Sequence, residues 1–160
     1  MKYALVTDSP LGKISLQSED GKLFSLDFGE LAQQNPEDIL FEAEEQLREY
    51  FAGKRTSFQL PLQMNGTAFQ KDVWKALQQI PYGKCVSYAD IARISGHGKA
   101  FQAVGSAVGK NPIPIIVPCH RVVNSNGEIG GFSCGLDKKR ALMDIENIAH
   151  KGVKIQTFSI

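Results

Sequence analysis

The sequence predicts an α/β protein of two lobes, in which a small antiparallel sheet with one helix precedes a mostly α-helical domain. Polar and apolar residues alternate with a period of two through residues 3–28, which is typical of half-buried strands. Apolar residues then recur at steps of three and four from Pro36 to Phe51, which is typical of a helix. Shorter helical patterns follow a linker, so domains are predicted at 1–64 and 65–160.

The first lobe is predicted to be a three-stranded meander packed by that helix. Strands are expected over residues 3–7, 13–17 and 22–28. Asp20-Gly21 is a turn dipeptide, and Gly53 marks the end of the helix. No group of chemically reactive side chains gathers here, so residues 1–64 are predicted to be a scaffold.

The second lobe has the pattern of a helix-turn-helix. One amphipathic helix is predicted over residues 67–80. Ser87 and Asp90 have the spacing of a capping box, which predicts a short helix that Gly96 ends. A further helix is predicted over 99–108. Two short helices across a glycine-containing turn are typical of a helix-turn-helix, although two core helices of a bundle give the same pattern.

A proline-rich segment, residues 111–123, separates this region from the last predicted helix. Its three prolines disfavour a central strand or a helix, while its Ile/Val run must be buried. A rigid segment that presents Cys119 and His120 is therefore expected. The last helix is predicted from Asp137 to Ala149, with Glu146 at the edge of its buried face. That buried face is predicted to carry Leu142, Ile145, Ile148 and Ala149.

The composition excludes several classes of protein. The chain is 42% hydrophobic and 22% charged, which suits a globular protein and excludes a disordered one. No apolar run approaches the roughly 20 residues that span a bilayer, so no membrane partner is expected. An acid at Asp8 comes too early for a signal peptide. Three cysteines, Cys85, Cys119 and Cys134, leave at least one unpaired, so reduced thiols in the cytoplasm are expected.

The small net charge of +1 hides an asymmetry between the halves. Residues 1–65 carry 6 Lys/Arg and 11 Asp/Glu, a balance of −5, whereas residues 66–160 carry 12 and 6, a balance of +6. A basic second lobe favours contact with a polyanion. A chance distribution of solvated surface charge is the alternative.

Cys119 is the candidate nucleophile. A thiol needs an activating partner, and His120 with a half-buried Glu146 would complete a Cys–His–carboxylate relay. The alternatives are that Cys119 is a small buried hydrophobe and that Glu146 is an ordinary helix-edge carboxylate. A zinc site from Cys85, Cys119, His120 and Cys134 would lack any Cys-x-x-Cys pairing, so no metal is expected.

The run Pro118-Cys119-His120-Arg121-Val122, after Asn111-Pro112 and before a glycine-rich loop, resembles the active-site signature of the O6-alkylguanine-DNA alkyltransferases. These are also called methylated-DNA–protein-cysteine methyltransferases. The likeness runs from about Phe69 to Glu146, and the first lobe is similar to the ribonuclease-H-like amino-terminal domain of that family.

The resemblance implies single-turnover repair of duplex DNA that contains alkylated bases. The alkyl group of O6-methylguanine, and of O4-methylthymine, would pass irreversibly to Cys119 after the base is flipped out of the stack, because a thiolate cannot reach it there. No cofactor would be needed, since the DNA supplies the alkyl group. A monomer is expected, with clustering of several molecules along DNA left open.

The resemblance also implies roles for individual residues. Glu146 would orient His120, which through a water would take the thiol proton, while Asn111 steadies this neighbourhood. Tyr88 would donate a hydrogen bond to the leaving base. The residues expected to contact the base or the DNA are Phe101, Gln102, Ala103, Gly105, Arg121, Val122, Ile129, Phe132 and Ser133.

One departure from the family pattern concerns DNA binding. Gln102 stands where the family has an arginine that replaces the extruded base, and Phe101 stands where a small residue is usual. Glutamine brings neither charge nor cation–π stacking, so weaker DNA affinity and slower repair are expected. Phe101 could act as a wedge. Two other classes stay open: a non-catalytic lesion sensor on this fold, and a thiol enzyme such as a cysteine hydrolase or peroxidase.

Overall fold

The structure is a computed structural model that describes residues 1–160, and its chain forms two compact units, Met1–Asn65 and Gly66–Ile160. The predicted α/β class is confirmed. None of the helices combines the length and the apolar character needed to cross a membrane. The elements in chain order are β1 (Lys2–Thr7), β2 (Ile14–Glu19), β3 (Lys22–Phe28), α1 (Asp38–Phe51), α2 (Ala68–Leu77), β4 (Val86–Ser87), α3 (Tyr88–Ile94), α4 (Phe101–Gly109), β5 (Val122–Val123) and α5 (Leu136–Ile145).

The first unit is the predicted antiparallel meander. Strands pair in the order β1-β2-β3, with Leu16 opposite both Leu5 and Leu26. Asp20 and Gly21 both adopt positive φ, which the tight turn between β2 and β3 requires and which Gly tolerates best. Leu16 and Leu26 are buried, and each such side chain stabilises the fold by roughly 1.5–3 kcal/mol.

Helix α1 closes this core and also holds the segment that follows it. Leu40 and Leu47 are buried on the inner face of α1. Gln46 is buried too, and its side-chain amide exchanges two hydrogen bonds with the backbone of Gln59, at 2.9 and 3.1 Å. A buried polar side chain satisfied in this way costs little.

The second unit begins with three helices that pack together. The predicted capping box of Ser87 with Asp90 is present. A second capping box, Thr67 with Gln70, begins α2. The indole N–H of Trp74 donates to the carbonyl of Ala107 at 2.8 Å. This bond joins α2 to α4 in the middle of the core.

A two-residue parallel pairing that the sequence analysis does not predict connects the helices to the proline-rich segment. Val86 of β4 lies opposite Val122 of β5. Strand β4 leads directly into α3, and β5 follows a short 3-10 turn over Cys119–Arg121. The pairing therefore holds the first turn of α3 beside the turn that carries Cys119. Two residues are too few to show any periodicity in sequence.

The last helix is shorter than predicted. Helix α5 ends at Ile145, because Asn147 adopts φ 59° and the N–H of Ile148 returns to the carbonyl of Met143 at 2.8 Å. This is a Schellman termination, with Asn in the left-handed position. The prediction that the helix reaches Ala149 is wrong: Ala149 is exposed. The early end places Glu146 at the helix terminus, where it is buried.

Candidate active site

Cys119 lies at a cavity of about 200 Å³ in the second unit. Cys119 is the first residue of the 3-10 turn, and only 4% of its surface is exposed. Three elements build the walls around it: the start of α3, one face of α4, and the glycine-rich loop before α5. The other lining residues are Tyr88, Gly105, Val108, Gly109, Gly131, Phe132 and Ser133.

Behind this turn, the carboxylate of Glu146 joins four donors. His120 Nε2 lies 2.5 Å from Oε2, and the backbone N–H of Gly83 donates to Oε1 at 2.9 Å. Arg121 donates to both oxygens, from Nε at 2.9 Å and from a terminal nitrogen at 3.2 Å. All of these side chains are buried. A carboxylate with this many donors is fixed in one orientation.

The surroundings set the protonation of the pair. Burial opposes the charge of Glu146, but the hydrogen bonds from His120 and Arg121 and the positive charge of Arg121 outweigh it and lower the pKa of Glu146. Burial lowers the pKa of His120, so the imidazole is neutral at neutral pH. With Nε2–H donating to Glu146, Nδ1 carries the lone pair. That atom is buried and has no hydrogen-bond partner within the chain, so it is placed to accept a proton.

The thiol of Cys119 is protonated in the free protein. Burial raises its pKa to about 12, although a hydrogen bond from Asn111 works in the opposite direction. Asn111 also donates to the carbonyl of Val117 at 2.7 Å and accepts from the N–H of Ile113 at 3.0 Å. It therefore fixes the proline-rich segment that leads to the thiol.

Tyr88 brings a hydroxyl to the opposite side of the cavity. It is the first residue of α3, and its hydroxyl donates to the carbonyl of Gly131 at 3.5 Å. Burial raises its pKa, so the group keeps its proton and remains a hydrogen-bond donor at neutral pH.

The remaining predicted residues fall into three places. Gly105, Phe132 and Ser133 line the cavity. Phe101, Gln102 and Ala103 are exposed on the first turn of α4, outside the cavity lining. Val122 and Ile129 contribute backbone carbonyls behind the cavity, and both carbonyls accept from Lys139.

The expected DNA or base contact of Arg121 does not fit the structure. Its residue is 6% exposed, and its guanidinium is occupied by Glu146 and by the carbonyl of Ile80, at 2.6 Å. Arg121 also lies over the ring of Tyr82. Arg121 therefore acts as a counterion of Glu146 inside the protein. Although Arg121 is close to Cys119 in sequence, the 3-10 turn directs its side chain towards Glu146.

Sequence reasoning missed two contributors, Gly83 and Lys139. Gly83 acts through its backbone, which no side-chain pattern reveals. Lys139 was detectable, since it lies three and four residues before the buried Leu142 and Met143. That spacing puts a lysine on the apolar face of α5, and a lysine is almost never fully buried without polar partners.

The other two cysteines do not share this setting. Cys85 is 1% exposed in a core cluster with Val123, Met143 and others, and burial raises its pKa to about 11. Cys134 is half-buried. No three His, Cys, Asp or Glu side chains are grouped to hold a metal ion, so the zinc alternative has no geometric support.

Comparisons with known proteins cover nearly the whole chain. Residues 68–148 match the family model described as the DNA binding domain of 6-O-methylguanine DNA methyltransferase, and residues 1–64 match its ribonuclease-like domain. The chain is 41% identical to the constitutive methylated-DNA–protein-cysteine methyltransferase of Bacillus subtilis, over 94% of this chain and 99% of that one. It is 43% identical to the Methanosarcina acetivorans methyltransferase of the same name, over 90% and 97%.

A solved structure matches equally well. The structure of Mycobacterium tuberculosis OGT in complex with DNA superimposes with a TM-score of 0.81 at 43% sequence identity. The match covers 88% of this chain and 90% of that one.

Proposed function

The chain belongs to the family of methylated-DNA–protein-cysteine methyltransferases, and on this basis we propose that Cys119 is the residue that accepts the alkyl group. The protein is a transferase that repairs DNA by moving an alkyl group from a base to one of its own cysteines. The observation that carries the assignment to Cys119 is its position in a cavity directly before the His120–Glu146 pair.

Deprotonation of the thiol is the first chemical requirement. A thiol whose pKa is about 12 is a weak nucleophile at neutral pH, so a base must act. The proton passes through a water to Nδ1 of His120, and the imidazolium that forms is stabilised by ionised Glu146. Arg121 keeps that carboxylate ionised and correctly oriented throughout.

Transfer then exchanges one bond for another. Sulfur forms a bond to the alkyl carbon, the bond from that carbon to guanine O6 breaks, and the electron pair leaves with the base. The departing guanine is anionic and takes up one proton, which balances the proton lost by the thiol. The hydroxyl of Tyr88 and the backbone N–H of Ser133 are the donors that stabilise this charge. The thioether does not hydrolyse, so each molecule acts once.

Access to the lesion requires the base to leave the helix, since the cavity holds Cys119 below the protein surface. Helix α4 is suited to approach a duplex. Gly105 and Gly109 have nothing within 4 Å of the position a Cβ would occupy, although glycine inside a helix costs about 1 kcal/mol relative to alanine. Gly109 is exposed and Gly105 is half-buried, and the missing side chains leave the helix backbone open to close contact. Exposed Phe101 and Gln102 at the start of α4 would fill the space the base vacates.

We expect the cavity to receive an alkylated guanine. We expect the backbone carbonyl of Cys119 to accept a hydrogen bond from the exocyclic amino group of guanine, with Phe132 as an apolar wall of the cavity. The carbonyl of Val122, which already accepts from Lys139, is the second expected acceptor through its remaining lone pair. O4-methylthymine presents the same alkyl–oxygen bond in a smaller ring, so it is the second expected substrate. We further propose that the protein acts as a monomer in the cytoplasm and that several molecules can cluster along one duplex.

The test is an intact-mass measurement after incubation with a duplex oligonucleotide that contains O6-methylguanine. The expected result is a gain of one methyl group per protein, located by peptide mapping on Cys119, with the unmodified duplex as control. Binding without a mass change would indicate a lesion sensor. Neither binding nor a mass change would indicate a thiol enzyme with another substrate.

A further inference from the structure

A lysine without an exposed side chain lies behind the cavity. Lys139 on α5 is 0% exposed. Its ammonium group uses all three donors on backbone carbonyls: Val122 at 2.7 Å, Ile129 at 2.6 Å and Gly131 at 3.0 Å. Unlike the other buried cation, Arg121, it forms no ion pair with a carboxylate.

Such a group is costly to bury. An ammonium taken out of water without a counterion loses several kcal/mol of hydration, which carbonyl dipoles only partly replace. Burial accordingly lowers the pKa of Lys139 to about 8. A methionine of similar length would fill the same space without that cost, so packing alone does not explain a lysine here.

The carbonyls that Lys139 binds belong to the two segments that enclose Cys119. Val122 follows the turn that carries the thiol, and Gly131 is part of the cavity wall. The carbonyl of Gly131 also accepts from the hydroxyl of Tyr88. The ammonium group of Lys139 therefore holds the glycine-rich loop to β5. It also fixes the carbonyl of Gly131, to which the hydroxyl of Tyr88 donates.

Charge connects Lys139 to the same thiol. The titratable groups within its electrostatic range are Cys119, Cys85 and His120. The positive charge of Lys139 favours the thiolate of Cys119, and reciprocally that thiolate favours the charged lysine. Of the two thiols, only Cys119 meets a substrate cavity.

We propose that Lys139 is a positioning residue for alkyl transfer: it pins the cavity wall through three carbonyls, and its charge stabilises the negative sulfur that forms on Cys119. This inference rests on the proposed role of Cys119 as acceptor. Lys139 stays protonated through the reaction and exchanges no proton with substrate. The thiol proton still leaves through His120.

The experiment measures thiol reactivity without DNA, so it does not depend on the repair reaction. Iodoacetamide alkylates the thiolate, forming a sulfur–carbon bond and releasing iodide and the thiol proton. The rate at Cys119 is followed by peptide mass from pH 7 to pH 10. Lys139→Met is compared with wild type, and Lys151→Met, which removes one exposed charge, is the matched control.

At pH 7 the rate at Cys119 is expected to fall about tenfold in Lys139→Met, equivalent to one pKa unit, and to stay unchanged in Lys151→Met. The ratio of the wild-type rate to the Lys139→Met rate should approach one above pH 9, where wild-type Lys139 is itself uncharged. Equal rates at pH 7, or a ratio that does not change with pH, would overturn the proposal, because packing by the side chain alone has no such pH dependence.

Two further measurements keep the test decisive if Lys139→Met does not fold. Lys139→Gln retains two N–H donors without the charge and should lose the same reactivity, whereas Lys139→Arg should retain it. In wild type alone, the logarithm of the rate should rise by less than one per pH unit as Lys139 deprotonates near pH 8. A straight unit slope there would refute the electrostatic role. Failure of wild-type Cys119 to gain a methyl group from DNA would instead refute the proposed function.

Discussion

The two units of this protein treat buried polarity in opposite ways. In the first unit the buried polar side chains are Ser15, Ser18 and Gln46, all uncharged, and its ion pairs lie at the surface. In the second unit a histidine and three ionic side chains are buried together, around the turn that carries Cys119. These four are His120, Arg121, Lys139 and Glu146.

This contrast reflects different requirements for a stable fold and for a reactive site. Buried charge is a poor way to stabilise a fold, since desolvation cancels most of the attraction. A unit that only supports the fold therefore places its charges in water, where pairs are worth about 0–1 kcal/mol. The second unit, in which we propose that Cys119 loses its proton, gathers charged groups inside, where electrostatic fields are stronger.

The largest difference between the units is expected when one ion pair is broken in each. Glu146→Gln removes the charge that Arg121 and His120 share, so unfolding free energy should fall by about 3–5 kcal/mol and methyl transfer by about 100-fold or more. Glu49→Gln breaks the partly exposed pair with Arg55 and should cost less than about 1 kcal/mol. Urea unfolding and single-turnover transfer measure both. Equal losses would erase the distinction between the units.

A smaller effect is expected on the pH dependence of the free energy of unfolding. Since burial lowers the pKa of His120, the unfolded chain binds a proton below about pH 6.5 that the folded chain refuses. Stability should therefore decrease as pH falls through this range, with a slope approaching about 1.4 kcal/mol per pH unit. All three histidines lie in the second unit. His120→Asn should flatten the slope in urea unfolding between pH 7 and 5, whereas a slope unchanged by this substitution would contradict the assignment.

The smallest effect tests the outer face of α4. Gln102→Arg should tighten binding to a lesion-containing duplex several-fold at fixed salt and speed repair, because it adds a cation that can contact phosphate or stack on a base. Gln33→Arg adds the same charge to an exposed position of the first unit and should leave affinity unchanged. Fluorescence anisotropy measures both. If the two variants behave alike, α4 is not the DNA-binding face.

Local rules made much of the fold predictable. The meander, α1 and the Ser87–Asp90 capping box follow from periodicity and from the hydroxyl–carboxylate spacing, which act within four residues. The end of α5 was signalled by Asn147, a residue that tolerates the left-handed conformation, but apolar Ile148 suggested a longer helix. The β4–β5 pair depends on residues 36 apart in sequence, which no local pattern connects.

The site was predictable in its reactive groups and not in its supports. The signature identified Cys119 and His120, and helical spacing brought Glu146 to the buried edge. The inward direction of Arg121 depends on the 3-10 turn, and the amide of Gly83 reaches Glu146 only through tertiary packing. Supporting contacts of this kind need coordinates, because they join backbone atoms from distant segments.

The central claim is that surroundings, and not burial, select one of three cysteines as the acceptor: Cys85 and Cys119 are both buried with raised pKa values. It is tested most directly by counting lesions removed per protein molecule at saturation with methylated duplex. Wild type and Cys85→Ser should each remove one, and Cys119→Ser should remove none while still binding the duplex. Lesion removal by folded Cys119→Ser would contradict the claim.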